Sequence, residues 1–255
     1  MEKMTPLFTL RDVGVALNGK RILSALNLEI MKNRATFVMG RSGAGKTTLL
    51  RVFNRLNDCF PGCTTTGEVQ LHRDHGVVRP YSGDIPLPEL RRLVGMVFQH
   101  PNVLPMSIGN NIVMPLATVH GVKRADAMDA ARQALKEAQL WDEVRDRLDA
   151  DARTLSGGQQ QRLCLARTLA MKPSVLLLDE PTSSLDHKAA KGIEELLETL
   201  KGRYTLVVVS HSLDFALRLA DDIIVLREGR THRHLLPREL KGESAAILTE
   251  LEAMY

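Results

Sequence analysis

The residues with the most chemistry in them lie early in the chain. Residues 36–50 read TFVMGRSGAGKTTLL, in which Gly40 is followed, after four residues, by Gly45, Lys46 and Thr47. This is a P-loop spacing, set between an apolar run that reads as a strand and a stretch that reads as a helix. Glycines let the backbone turn tightly enough to aim several N–H groups at one anion. The helix that opens near Lys46 adds the positive end of its dipole. Gly40, Arg41, Ser42, Gly43, Ala44, Gly45, Lys46, Thr47 and Thr48 are thus the candidate phosphate-binding residues. Lys46 brings a mobile charge for the β- and γ-phosphates, and the Thr47 hydroxyl suits a hard ion such as Mg²⁺.

Two further stretches complete the set. VLLLDEP ends an apolar run with Asp179 and Glu180. The first carboxylate is placed to hold Mg²⁺, and the second, one residue on, to polarise an attacking water as general base. LSGGQQQR spans residues 155–162. Ser156 reads as a helix cap, and Gly157 and Gly158 leave the first N–H groups of that helix open, with Gln159 next in line. That is a second anion-binding helix end. One small domain rarely needs two for a single nucleotide, which suggests that this end closes on a nucleotide held by another copy.

These side chains need a scaffold that delivers them to one place. Apolar runs at 36–39, 175–178, 206–210 and 223–226 do not alternate with polar residues, as expected of strands covered on both faces. Helical stretches at 47–56, 189–201 and 213–220 separate them, which predicts an α/β core with a parallel sheet. Residues 7–15, 26–30 and 68–71 predict an antiparallel sheet beside it. From about 101 to 170 strand signals are few. Residues 123–139 place alanines and Leu135 at helical spacing, and a further helix is expected from Ser156 to Ala170, ending before Pro173. A helical subdomain is therefore expected inside the core. Residues 1–230 read as one nucleotide-binding domain and 231–255 as a short C-terminal tail, a strand or loop followed by an amphipathic helix.

Composition limits the alternatives. The 255 residues are 44% hydrophobic and 25% charged, with a formal net charge of +4, which is ordinary for a globular chain. Three cysteines are too few for a disulfide framework. No apolar run approaches the roughly 20 residues of a membrane span. Cys59, Cys63, His72 and His75 superficially suggest zinc, but the histidine spacing is short for that pattern and a strand is expected between the pairs.

The segment LSGGQQQR resembles the signature sequence of ABC ATPases, and the other elements of that family follow in order. Gln99 in VGMVFQHP matches the Q-loop glutamine, Ser184, Leu185 and Asp186 match the D-loop, and His211 in VVVSHS matches the switch histidine. The resemblance runs from about residue 7 to 230. It implies an ABC ATPase fold, ATP and Mg²⁺ as cofactors, and Mg²⁺ near Thr47, Gln99 and Asp179. It implies a catalytic set of Glu180, His211, Lys46 and Gln99, with Ser156, Gly157, Gly158, Gln159 and Asp186 reaching nucleotide across a head-to-tail homodimer. One departure stands out. The family places an aromatic before a glycine in the N-terminal hairpin, where it stacks on adenine. Here Leu17 and Asn18 precede Gly19, which predicts weak adenine selectivity, with Leu17 offering apolar contact alone.

Four stretches look like the ATPase subunit of bacterial phosphate importers: FNRLNDCFPG, LRRLVGMVFQHPNVLPMSIGNNI, LSGGQQQRLCLAR and IEELLETLKGRYTLVVVSHS. This implies a peripheral subunit on the cytoplasmic face of the inner membrane. It would act with integral-membrane transporter subunits and, indirectly, a solute-binding protein, and not with nucleic acid. Other solutes stay open, as does a soluble ABC ATPase of DNA repair or translation. Those proteins carry coiled-coil insertions or two cassettes, and neither is present here. Val103, Leu104, Pro105, Met106 and Ile108 are the candidate groove for a membrane subunit's helix.

Overall fold

The computed structural model describes residues 5–235. Two sheets form its frame. The larger has six strands in the order β10-β9-β3-β8-β7-β6. Of these, β3 (Ala35–Met39), β6 (Val94–Val97), β7 (Val175–Asp179), β8 (Thr205–Val209) and β9 (Asp222–Arg227) run parallel. Strand β10 (Arg230–Leu235) returns antiparallel along β9. The smaller sheet is antiparallel in the order β2-β1-β4-β5, built from β1 (Pro6–Leu17), β2 (Lys20–Met31), β4 (Cys63–Arg73) and β5 (Gly76–Val78).

The absence of alternation in the apolar runs has the expected cause. Phe37, Met39, Leu176, Leu178, Leu206, Val208, Ile223 and Val225 join one core, while Val38, Val175, Leu177, Val207, Val209, Ile224 and Leu226 join another on the opposite face. Every position of the central strands is therefore buried, on alternate sides. On one face lie α1 (Lys46–Asn54) and the antiparallel sheet. On the other lie α3 (Asn110–His120), α4 (Arg124–Glu137), α6 (Gly157–Ala170), α7 (His187–Leu200) and α8 (Leu213–Leu219). The short helices α2 (Leu87–Leu93) and α5 (Trp141–Val144) complete the set.

Some elements are harder to read from the chain. Strand β6 is the four-residue run VGMV, too short to signal by pattern, and it is made by pairing with β7. Helix α3 carries Pro115 inside it, a residue that argues against helix. Its apolar side, Ile112, Val113 and Leu116, nonetheless buries fully in the core and outweighs that cost. The expected C-terminal tail begins within the sheet as β10. Its remainder, including the expected amphipathic helix, lies outside the described residues.

The N-terminal hairpin turns at Asn18 and Gly19, both with positive φ (48° and 77°), the backbone that two-residue hairpin loops prefer. Asn18 N donates to Gly62 O at 2.9 Å, which ties the hairpin tip to the start of β4. The P-loop helix is fixed to this sheet by Phe53, whose ring lies 4.9 Å from that of Phe8. Both rings are fully buried.

Phe53→Ala is expected to cost about 3–5 kcal/mol, the usual loss for a fully buried aromatic. Phe60→Ala should cost under about 1 kcal/mol, since Phe60 is 43% exposed and its ring meets the guanidinium of Arg51 at 4.8 Å. Equilibrium unfolding in urea checks both. Equal losses would show that the two sheets are not held together through this ring pair.

Candidate functional site

The carboxyl ends of neighbouring parallel strands deliver the site. Strand β3 runs into the P-loop, β7 ends in Asp179 and is followed by Glu180, β8 leads to Ser210 and His211, and β6 leads to Gln99. In open α/β sheets this edge is where ligands bind. The chain crosses there as well, since β3 sits between β8 and β9 although it precedes both in sequence.

Within the P-loop, Gly40, Gly43 and Gly45 have φ of 140°, 80° and 98°. Gly40 carries the clearest need for glycine, since a Cβ there would lie 2.2 Å from the backbone oxygen of Leu226. Gly45 is constrained as well. It caps α1 in the left-handed region, and a Cβ there would lie 2.6 Å from Leu23 Cδ2. No side chain caps α1, so the N–H groups of its first turn, at Lys46, Thr47 and Thr48, stay available to an anion. Lys46 is 6% exposed. Its Nζ donates to Gly40 O at 2.6 Å and Arg41 O at 3.1 Å, which holds the ammonium over the loop. Burial lowers its pKa, against the attraction of Glu180 and Asp179. Arg41 and Ser42 are exposed on the loop. A cavity of about 330 Å³ lies against it, lined by residues 40–44 and 225–228.

The acids are drawn into the same place. Thr47 Oγ1 donates to Asp179 Oδ1 at 3.0 Å. Asp179 is 7% exposed, and burial pushes its carboxyl up, against the Thr47 hydrogen bond and the charges of Arg51 and Lys46. Glu180 has φ of 47°, an uncommon backbone for a residue with a Cβ and typically costly by about 1 kcal/mol or more. It is held there from several sides. Its N–H donates to Val209 O at 3.0 Å, and its carbonyl accepts from Ser183 Oγ at 3.1 Å. Its Oε1 lies 2.6 Å from His211 Nε2.

Gln99 Nε2 donates to Ser183 Oγ at 3.1 Å, and Ser184 Oγ donates to Gln99 O at 3.0 Å. The loop after β6 is thereby laced to the loop after β7. The sequence pattern marks Gln99 and Ser184, but Ser183 carries no signal of its own. Its role appears only when the two loops meet.

A second group stands apart from these bonds. Ser156 caps α6, accepting from Gln159 N at 3.4 Å, while Gln159 Oε1 accepts from Ser156 N at 3.0 Å. This reciprocal capping box satisfies two end groups at once. Gly158 packs on α7, where an added Cβ would lie 2.7 Å from Ala189 Cβ, and Gly157 faces Leu185. Asp186 caps α7, accepting from Ala189 N at 2.9 Å. Leu17, 37% exposed, stands at the hairpin tip paired with Lys20 and Cys63, outside the lining of the P-loop cavity.

The groove expected for a partner helix needs correction. Ile108 is fully buried in the core and closed to a partner, and Val103, half-buried, packs against that core. Of the five residues named, Leu104 alone lines a surface groove of about 350 Å³, whose other walls include Arg91, Met96, Pro115, Arg167 and Met171. Asn111, wholly buried, shapes this rim. Its Oδ1 accepts from Leu104 N at 2.8 Å, and its Nδ2 donates to Leu104 O and Ser107 O. The two residues sit seven apart, Leu104 on an irregular loop and Asn111 in the first turn of α3, so spacing does not reveal the clamp.

Comparison with known proteins agrees with this geometry. Residues 23–183 match the ABC transporter family. The chain is 48% identical over 211 residues to phosphate import ATP-binding protein PstB 1 of Vibrio cholerae, covering 82% of this chain and 76% of the relative. It is 41% identical to phosphate import ATP-binding protein PstB of Thermotoga maritima, covering 97% of both. Among solved structures, the dimeric post-hydrolysis state of the ATP-binding cassette MJ0796, bound to ADP and Pi, superposes with a TM-score of 0.73 at 30% identity. That match covers 91% of this chain and 99% of the other. A family match over well more than half of the residues, on a fold whose strand ends gather a P-loop, paired acids and a capped second helix end, makes this chain a member of the ABC transporter family, one of its ATP-binding, ATP-hydrolysing cassettes.

Proposed function

We propose that this cassette powers phosphate import by MgATP-driven closure between two copies of itself, bound to membrane-spanning subunits at the cytoplasmic face of the inner membrane. The observation that carries the reading is the bonded cluster at the strand ends: Thr47 to Asp179, and Glu180 to His211, beside the P-loop lysine. The phosphate assignment rests on the relatives named for phosphate import. Among the described residues no helix is long and apolar enough to cross a membrane, so partners would supply the path. The groove beside Leu104 is the proposed seat for one helix of such a partner. Residues 101–170 act in this scheme as the subdomain that carries the motion, and residues 231–255 as an appendage to it.

Each residue has a physical task. The P-loop N–H groups and Lys46 hold the β- and γ-phosphates. Thr47 and Asp179 fit Mg²⁺: they place two hard oxygen donors 3.0 Å apart, and a buried carboxylate pushed toward its neutral form gains most from a neighbouring cation. When bound, Mg²⁺ neutralises charge on the phosphate oxygens. Gln99 joins this ion's surroundings and ties it to the helical subdomain. Glu180 accepts a proton from the attacking water, and its bond to His211 holds the carboxylate in place. His211 and Lys46 stabilise charge that builds on the γ-phosphate. The α6 end of the second copy, with Ser156, Gly157, Gly158, Gln159 and the D-loop Asp186, closes over the same phosphate, and hydrolysis releases it. The dimeric MJ0796 cassette supports that pairing.

Glu180→Gln should retain ATP binding, lose about 10²–10⁴-fold in hydrolysis, and accumulate as an ATP-bound dimer by light scattering. A monomer at saturating MgATP would overturn the closure reading. Asp179→Asn should abolish hydrolysis yet melt at a higher temperature than the parent at neutral pH. Because burial raises the Asp179 pKa, the ionised carboxylate costs stability that is absent below the unfolded-state pKa, builds up between that value and the raised folded one, and is full above it. The advantage of the variant should therefore shrink as pH falls through the acid range, and a pH-independent difference would contradict it. With Leu17 in place of a stacking aromatic, which typically contributes about 1–3 kcal/mol, ATP and GTP should bind within roughly tenfold of each other. A preference of roughly a hundredfold for ATP would refute this.

A further inference from the structure

Helix α6 must present its first turn at a fixed position and angle, yet the side chains that hold it come from outside the signature motif. Glu143, on α5, takes up both. Its Oε2 accepts from Gln159 Nε2 at 2.7 Å, and its Oε1 accepts from Arg162 Nη1 at 2.7 Å. Arg162 Nη1 also donates to Gln139 O at 2.7 Å, at the corner between α4 and α5 where Gln139 has φ of 52°. Glu143 is 41% exposed and Arg162 22%. A lone ion pair of that exposure is usually worth little. This one is a network of charge-assisted bonds converging on one helix end.

The chemistry fixes the orientation of the Gln159 amide. An ionised carboxylate only accepts, so the Gln159 NH₂ must face Glu143 and its oxygen must face Ser156 N–H. That is the orientation the capping box requires. The charge on Glu143 is unwelcome near a site for phosphate unless neutralised, and Arg162 neutralises it in place. Hydrogen bonds from Gln159 and Arg162 overcome the cost of burial and hold the Glu143 carboxyl below its ordinary range, so it is ionised at neutral pH.

We propose that Glu143 is a positioning residue for the ATP-dependent closure of the cassette. Through Gln159 it locks the capping box of α6, and through Arg162 and Gln139 it couples the helix end to the α4–α5 corner. The proposal rests on the closure reading above, in which the α6 end meets nucleotide held by the second copy. Glu143 itself touches no nucleotide. Its loss weakens closure and leaves binding at the P-loop of the isolated chain alone.

The test uses the full chain in the Glu180→Gln background. Glu143→Gln keeps the size and most of the exposed surface, and its melting temperature should stay near that of its parent. With MgATP, dimerisation by light scattering should weaken by at least about tenfold, the worth of one charge-assisted hydrogen bond per site. Binding of a fluorescent ATP analogue to dilute monomer should stay within about twofold. In the hydrolysing background the same substitution should raise KM for ATP more than it lowers kcat. Gln159→Leu should reproduce the defect, and the double variant should lose less than the sum of the two singles, since both cut the bond between Gln159 and Glu143. A Glu180→Gln protein that fails to dimerise overturns the closure reading itself. A Glu180→Gln protein that dimerises equally well with and without Glu143→Gln overturns this proposal alone, as does strict additivity with Gln159→Leu.

Discussion

Charges held out of water at the carboxyl edge of one sheet are the constraint from which the rest of this structure follows. Lys46 and Asp179 are each less than a tenth exposed, and burial moves both toward their neutral forms. Neither would be tolerated there without compensation. Lys46 is compensated by two loop carbonyls and Asp179 by the Thr47 hydroxyl. What remains is a site that lies below its best energy until anion and cation arrive together. That is the condition under which nucleotide binding can drive a change of shape.

The same economy explains the covered sheet. A strand edge that must hold Asp179, Glu180 and His211 within bonding reach cannot flex. Apolar residues on both faces of β3, β7, β8 and β9 give it the rigidity of a packed interior. The strained backbone of Glu180 persists for the same reason. It is pinned at its N–H by β8, at its carbonyl by Ser183 and at its carboxylate by His211, so the fold over-determines a conformation the residue would not choose.

Much of this was legible in the chain, and the boundary is physical. The P-loop, the acid pair and the capped helix are local patterns, in which the residues that act lie within a few positions of one another. The central strands announce themselves because burial on two faces removes polar residues. Strand β6 and helix α3 are not legible, because β6 is made by its partner β7 and α3 tolerates Pro115 only through the core that its apolar side joins. Ile108 shows the opposite error. An apolar residue beside a candidate groove reads equally well as wall or core, and only the three-dimensional packing separates the two. Ser183 and Glu143 fall in the same class, since each acts on a residue 84 or 16 positions away.

This division between local and distant signals also separates holding a nucleotide from acting on it. The residues proposed to hold phosphate come from one turn, steadied by the Gly229 N–H, which donates to Ala44 O at 3.2 Å. Those that set the second helix end are scattered over α4, α5, α6 and α7 and meet through Glu143, Gln139, Arg162 and Ala189. None of these bonds reaches the P-loop or the acid pair, but the α6 end is held from two sides: by Glu143 and Gln139 in the helical region, and by Ala189 on α7 and the Phe98 carbonyl after β6, which accepts from Gln161 Nε2 at 3.1 Å. In the proposed cycle, a tilt of the helical region against the sheet acts through these contacts. The loop between Gln99 and Asn111, laced to Ser183 and Ser184 at one end and clamped to α3 at the other, is the connection that such a tilt must pass through. It is also the segment that borders the groove beside Leu104. A force applied at that groove and a charge change at the strand ends therefore act on opposite ends of one short piece of chain.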